Sequence, residues 1–486
     1  MQGMVTIRWV ACQIAGLALV GLGASGCATT SLLTPHPDRT AGLIRAVEGG
    51  RSVAPDRTFG RLLKGADRIL YLLEAGRLAQ LQGDFEASRR WYAEAIRHIR
   101  ARDDEAMIRL SDAYGAFSAV LINDNAIPYQ AEGYERVMLH LEQALNYLLM
   151  GDLEGAGVEI RLAAVRQAEA ERRRARELEA AQQHEREWSL AQSDALRAVH
   201  ARLAPMAARE AQSILNAYVY YVSAVIRELL GDENGAYIDY KKAAALQPGH
   251  PQILPDLLRL ADRLGMREEA DRYRSVLPGV LPRCRPAGSA EIVLFFEEEF
   301  LPPKQEVAVW VPLPSGWTAV ALPVLATPPP LGPPPELRNG PHCLGSAEPM
   351  ADLSALAARA LQERMPAIAT RQMVRAAAKG AAVEAASRQK NGEWAAVLLS
   401  LYNLISERAD LRSWTTLPAR ASVWRGFVPA GECRLRLEQG GTVSRELAVT
   451  VPDGGCVIVW GYRAGRRLEI HGVVIPKGER DLTPPG

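Results

Sequence analysis

"LGDENGAYIDYKKAAALQP", Leu230 to Pro248, places a turn glycine and an aspartate ahead of small residues at helical spacing. Three further stretches share the turn glycine, followed by aspartate in the first two: "QGDFEASRRWYAEAIRHI" from Gln82, "MGDLEGAGVEIRLAAV" from Met150 and "LGMREEADRYRSVL" from Leu264. Gly83 and Gly151 lie 68 residues apart, and Gly231 and Gly265 lie 34 apart, so one interval is twice the other. In the copy at Leu230, Ala224 precedes the turn by seven residues, where a first helix must let its partner approach. Ala236 and Ala243 take small positions of the second helix, Tyr240 is a wedge between helices, and Pro248 closes the unit. Gly76, Gly83, Tyr92 and Ala95 hold corresponding places in the first copy. Ala144, Tyr147, Gly151, Ala156 and Ala163 hold them in the second, and Gly265 and Ala270 remain in the fourth.

A 34-residue period of this kind resembles the tetratricopeptide repeat, two antiparallel helices per unit, over Asp67 to Pro278. Ser88 departs from the pattern, which usually has Ala there. A single helix pair cannot bury its apolar face, so stacking is expected to supply the core. The resemblance implies a concave face built from the first helices. It places Arg77, Gln80, Tyr221 and Glu228 there as candidate contacts for a protein or peptide partner. Between the second and third copies, "RQAEAERRRARELEAAQQHERE", Arg166 to Glu187, carries six Arg and six Glu. It reads as a solvated helical insertion at about 165–205.

The amino-terminal residues follow the three-part signal-peptide pattern. Arg8 precedes the apolar run Trp9 to Leu22, and Gly23, Ala24, Ser25 and Gly26 are small. Ala24-Ser25-Gly26-Cys27 resembles the lipobox of bacterial lipoproteins, although that family prefers Leu at the position of Ala24. The resemblance implies lipidation of Cys27 and cleavage before it. A plain signal peptide and an uncleaved anchor helix are the alternatives. Residue 28 is Ala, where Asp often marks inner-membrane retention, so the resemblance implies an outer-membrane location facing the periplasm.

The second half changes texture. β-Branched and aromatic runs at Ile292–Phe296, Glu306–Val311 and Trp317–Val324 read as strands, and so do Ser422–Val428, Glu432–Glu438, Val443–Val451, Cys456–Tyr462 and Arg467–Val473. "TPPPLGPPPELRNGP" reads as extended polyproline-like chain. The alanine-rich residues 352–389 read as helix with a kink at Pro366, and Glu393–Arg408 as a second helix. The expected fold is therefore α+β and multidomain: an all-α solenoid, then a β-rich, sandwich-like domain interrupted by helices. Its divisions are a signal peptide (1–26), lipidated linker (27–60), solenoid (61–280), β-rich domain (288–475) and tail (476–486). The β-rich domain holds the proline-rich loop (326–341) and the helical insertion (351–408).

Chemistry is sparse. The eight histidines form no close ligand pair, and neither GxSxG nor GxxxxGK[ST] occurs. No cofactor, metal or catalytic residue is assigned. The net charge of +1 sets up no global field that favours nucleic acid or an anionic membrane. Cys284, Cys343, Cys433 and Cys456 are open to two disulfides or four thiols. In "INDNAIPYQAEGYERV", Ile122 to Val137, the residues Asn123, Asp124, Asn125, Glu132, Glu135 and Arg136 read as a structural polar cluster joining a loop to a helix. Trp394, Trp414 and Trp424 suit a core more than a carbohydrate platform. The order of lipobox, degenerate repeats, "NDNAIPYQAEGYERV" and "ERADLRSWTTLP" resembles uncharacterised bacterial tetratricopeptide lipoproteins, a group with no activity to transfer. The expected function is a lipid-anchored scaffold for envelope or peptidoglycan machinery. The rivals are a cell-wall-modifying enzyme with its site in the β-domain and a secretion or assembly lipoprotein.

Overall fold

A computed structural model describes residues 34–109, 127–188, 194–210, 213–276, 278–313, 316–387 and 408–476. Cys27, Asn123, Asp124, Asn125, Trp394 and the tail beyond residue 476 lie outside the described residues. The chain is mixed α+β, with helices in the first half and sheets in the second. Besides a short helical stretch at Pro55–Phe59 and Gly60–Lys64, the helices of the first half are α1 (His36–Glu48), α2 (Arg68–Leu81), α3 (Phe85–Arg109), α4 (Gly133–Leu149), α5 (Leu153–Trp188), α6 (Asp194–Ala207), α7 (Ala217–Leu229), α8 (Glu233–Leu246), α9 (Ile253–Arg263) and α10 (Arg267–Val276).

Four pairs, α2 with α3, α4 with α5, α7 with α8 and α9 with α10, are joined by one kind of turn. Gly83, Gly151, Gly231 and Gly265 all have φ between +72° and +79°. The next residue's N–H donates to a carbonyl five positions back: Asp84 to Ala79 (3.0 Å), Asp152 to Tyr147 (2.9 Å), Asp232 to Arg227 (2.8 Å) and Met266 to Ala261 (2.8 Å). This left-handed closure satisfies carbonyls at the end of the first helix. The aspartate then starts the second helix, accepting from Ala87 (2.9 Å), Gly155 (2.8 Å) or Gly235 (2.9 Å). Glycine is also required at Gly76, where a Cβ would stand 2.3 Å from the ring of Tyr92.

The strands are β1 (Ser289–Phe300), β2 (Lys304–Leu313), β3 (Gly316–Leu325), β4 (Glu336–Asn339), β5 (His342–Ser346), β6 (Glu348–Asp352), β7 (Pro418–Pro429), β8 (Gly431–Gln439), β9 (Thr442–Val443), β10 (Leu447–Val451), β11 (Cys456–Ala464) and β12 (Arg467–Ile475). One helix, α11 (Leu353–Ser387), separates β6 from the residues before β7. The first sheet runs β12-β11-β1-β7-β6, the second β10-β8-β4-β5, and β2 with β3 forms a two-stranded ribbon. Central β1 is parallel to β11 and antiparallel to β7.

Alternation along β1 splits the core into layers. Ile292, Leu294 and Phe296 meet Leu435 and Leu437 of the second sheet. Val293 and Phe295 point the other way, into a core that also holds Tyr71, Leu78 and Tyr218 of the helices. The first sheet is thus buried on both faces, and its largest core belongs to both halves of the chain.

Several expectations are corrected. Within the segment read as a linker, His36–Glu48 forms α1, which buries His36, Thr40 and Val47. The charged run is helical and prolongs α5 to Trp188, with Arg174 paired bidentately to Glu363 of α11 (2.7 and 2.7 Å). The proline-rich loop ends earlier than expected, because β4 pairs with β8 from Glu336 onward. β5 and β6 were also unforeseen. The helix expected over Glu393–Arg408 lies, but for Arg408, outside the described residues. All four cysteines of the second half are free.

The turns yield a graded test. At Gly231 an added Cβ would meet nothing within 4 Å, so Gly231→Ala carries only the left-handed backbone cost of about 1 kcal/mol. At Gly83 the same Cβ would lie 2.7 Å from Cε1 of His471. Gly83→Ala should therefore lower the urea midpoint more than Gly231→Ala, and equal midpoints would contradict the turn assignment.

Candidate functional site

Of the four residues expected on a free concave face, Arg77 and Glu228 pair with strands of the chain's own β-half, while Gln80 and Tyr221 bond to neighbouring helices. Arg77 is 1% exposed, Gln80 and Tyr221 are fully buried, and only Glu228 retains partial exposure. Arg77 donates from Nη1 to Glu142 (2.8 Å) and Gln80 (2.6 Å), and from Nε to the carbonyl of Thr416 (3.3 Å). Its Nη2 donates to Glu297 of β1, which also accepts from Tyr218 (3.1 Å). Gln80 in turn donates to Asn146 (3.1 Å) and to the carbonyl of Glu142 (3.1 Å). The partner-binding reading of these side chains is therefore corrected, since the first sheet covers the face and removes it from solvent.

A second knot fastens the third helix pair. Glu228 accepts from Arg425 of β7 (2.9 Å), Arg259 (2.6 Å) and the hydroxyl of Tyr240 (2.6 Å). Arg425 also reaches Glu291 of β1 (2.7 Å), while Tyr221 donates to Asp256 (3.2 Å). Burial pushes the Glu228 carboxyl up, but Arg425 and Arg259 outweigh it and hold it at about 2. The first knot is less balanced, having one guanidinium for Glu142 and Glu297. Burial pushes the Glu142 carboxyl up to about 8 against the pull of Arg77.

The two motifs that stood apart in sequence meet in a third place. Residues 410–416 run across the helical carboxylates. Glu74 accepts from the N–H (2.9 Å) and hydroxyl (2.8 Å) of Thr415, and Glu135 from the N–H of Trp414 (2.8 Å). Arg412 donates to Asp67 (2.6 Å), Asp410 (2.8 Å) and the carbonyl of Ile127 (2.8 Å). Glu135 also accepts from the N–H of Glu132 (2.8 Å) and from the hydroxyl of Tyr129. Arg136 pairs with both oxygens of Asp103 (2.8 and 3.0 Å), and His140 meets Glu159 (2.6 Å). Trp414 is fully buried and Trp424 nearly so.

Beside this crossing lies an open groove of about 320 Å³, lined by Pro128, Gln130, Glu132, Lys304, Ile368 and Asp410, among others. Glu132 is paired with Arg364 of α11, with Lys304 at 3.9 Å. Burial raises the Glu132 carboxyl pKa, but Arg364 and Lys304 outweigh it and bring it below the ordinary value. Arg412 does the same for Asp410. The groove therefore presents fixed charges of both signs between proline and aliphatic walls. Sequence reasoning noticed both of its loops but not Lys304 or Arg364, which come from a strand start and a helix distant in the chain. Among the described residues, no group of three His, Cys, Asp or Glu is placed to hold a metal ion.

Neither the known protein-family models nor the curated proteins include a match to this chain.

The titration of Glu142 has a definite sign. Its native carboxyl holds a proton up to about pH 8, whereas the ordinary value is 4.5. Its stabilising contribution is thus full below the lower value and is lost as pH rises toward the upper one. Glu142→Gln keeps the shape and removes the titration. In urea unfolding, the variant's stability minus the parent's should grow by about 1 kcal/mol or more from roughly pH 5 to roughly pH 9. A difference independent of pH would contradict this.

Proposed function

We propose that the chain is a lipid-anchored scaffold or adaptor, facing the periplasm from a bacterial outer membrane. It receives protein or peptide partners during assembly of envelope or peptidoglycan machinery. Lipidation rests on the lipobox resemblance at Cys27. The solenoid reading, tetratricopeptide-like helix pairs, draws support from four turns with the same glycine conformation and the same hydrogen bond.

The observation that carries the adaptor reading is the groove at Glu132 and Lys304. It sits where helices, ribbon and the 408–414 segment converge on a scaffold whose halves are joined by buried ion pairs. Proline and aliphatic walls with paired charges suit an extended peptide, which offers alternating side chains and an unsatisfied backbone. Partner recognition is assigned here because the concave face is filled from within.

A photocrosslinker at exposed Gln130, on the groove, tests this against one at Ile238, which is 52% exposed on α8. In intact envelope the Gln130 probe should capture a discrete partner that the Ile238 probe does not, and Cys27→Ser should abolish lipid labelling. Equal capture from both positions, or none, would contradict the groove assignment. Persistent labelling of Cys27→Ser would contradict the anchor.

A further inference from the structure

From Val307 to the end of β3 at Leu325, 19 residues of the β2–β3 ribbon pass without an Asp, Glu, Lys, Arg or His. Register places Val309 opposite Val320 and Trp310 opposite Ala319. The face bearing Val309 and Val320 rests on a small core with Leu203 of α6 and Met365 of α11. The opposite face leaves Ala308 exposed and Trp310 63% exposed. Among the described residues neither edge of the ribbon has a strand neighbour. Exposed strand edges in water are ordinarily guarded by charge, which is missing here beyond Glu306.

Three observations say what covers this face. First, tryptophan with an apolar surround favours the headgroup level of a bilayer. A protein interface, by contrast, is normally ringed by a polar rim. Second, the anchor is within reach. Pro35 and His36 share a small cavity with Glu306 at the base of β2. Cys27 is eight residues before Pro35, a span of roughly 29 Å at most. Trp310 lies four residues beyond Glu306, roughly 13 Å along the strand. The level of Trp310 is therefore within the chain length available to an anchor at Cys27. Third, α6 packs beneath the ribbon and presents Arg202 to solvent. Such a flank suits anionic phospholipid headgroups.

We propose that the β2–β3 ribbon is a second membrane contact, seating Trp310 in the interfacial layer of the bilayer that the lipid on Cys27 enters. It would fix the orientation of the scaffold, where acyl chains alone leave it free to swivel. The orienting role rests on the anchoring reading, whereas contact with lipid stands on the ribbon alone.

The test uses the full mature chain carrying Cys27→Ser, so that no acyl chain contributes. Flotation is measured with phosphatidylcholine vesicles and with the same vesicles containing phosphatidylglycerol. The protein should float with both and more with the anionic ones. Trp310→Glu should reduce binding about tenfold or more at an unchanged melting temperature. Trp310→Phe should retain binding while losing the part of the emission that brominated lipid quenches. No flotation, or equal flotation of the parent and Trp310→Glu, would overturn the proposal. So would Trp310 becoming shielded only through self-association or a protein partner. Lipid labelling of Cys27 in cells is scored separately, so a failed anchor and a failed ribbon contact are distinguishable.

Discussion

A guanidinium removed from water must find oxygens to replace its hydration, and a carboxylate removed with it must find donors. Arg77 meets that demand only where α2, α4, β1 and the 414–416 segment come together. Glu142, Glu297, Gln80 and the carbonyl of Thr416 then surround it. None of these elements satisfies the arginine alone. Removing one partner of such a knot typically costs about 3–5 kcal/mol, because a buried charge is left behind. The arrangement is repeated at Arg425 and at Arg412, so three buried arginines pin the helical face to the β-half along its length. Apolar contact supplies area at this junction, as with Tyr218 against Phe295 at 6.2 Å. The ion pairs set its register.

This constraint gives the helical array a different role from that of an open solenoid. The helical face on which partner contacts were expected instead holds buried ion pairs to a sheet from the same chain. The sheet is consequently buried on both sides, one against the helices and one against the second sheet. The surfaces proposed for contact are the groove beside Glu132 and the outlying ribbon with Trp310. Both lie off the main core and both are reached by segments that the buried knots hold in place. Lys304 begins the ribbon and lines the groove, so the two surfaces meet at one residue.

Much of the local structure was legible in the sequence. Glycine followed by aspartate marks the helix turns because the left-handed closure and the N-cap need those two residue types. β-Branched runs mark the long strands. Where the reading stopped short, it did so for identifiable reasons. β1 was ended at Phe296 because charge usually leaves the core, yet Glu297 and Glu298 continue the strand at 1% exposure by pairing with Arg77 and Arg420. β4 to β6 carry "ELRN", "HCLGS" and "EPMAD", which lack alternation and take their order from β7 and β8. The concave face was misread because a period says which side of a helix meets its pair, not what arrives on the other. A signal was present: Ile69 to Leu81 are all buried, as an α2 apolar nearly all round would be. The groove depended on Lys304 and Arg364 meeting Glu132 from far along the chain, which no local pattern encodes.

The central claim is that helices and sheets form one cooperative body because each buries the other's charges. The most direct measurement is urea unfolding of the mature chain, followed in parallel by far-ultraviolet circular dichroism and by the emission of buried Trp414 and Trp460, each obtained by difference from its Trp→Phe variant. The account predicts a single coincident transition. It also predicts that a segment spanning 34–280 alone, with Arg77 and Glu228 stripped of their sheet partners, fails to fold with native stability. Two separated transitions, or a helical segment as stable alone as in the whole chain, would contradict it.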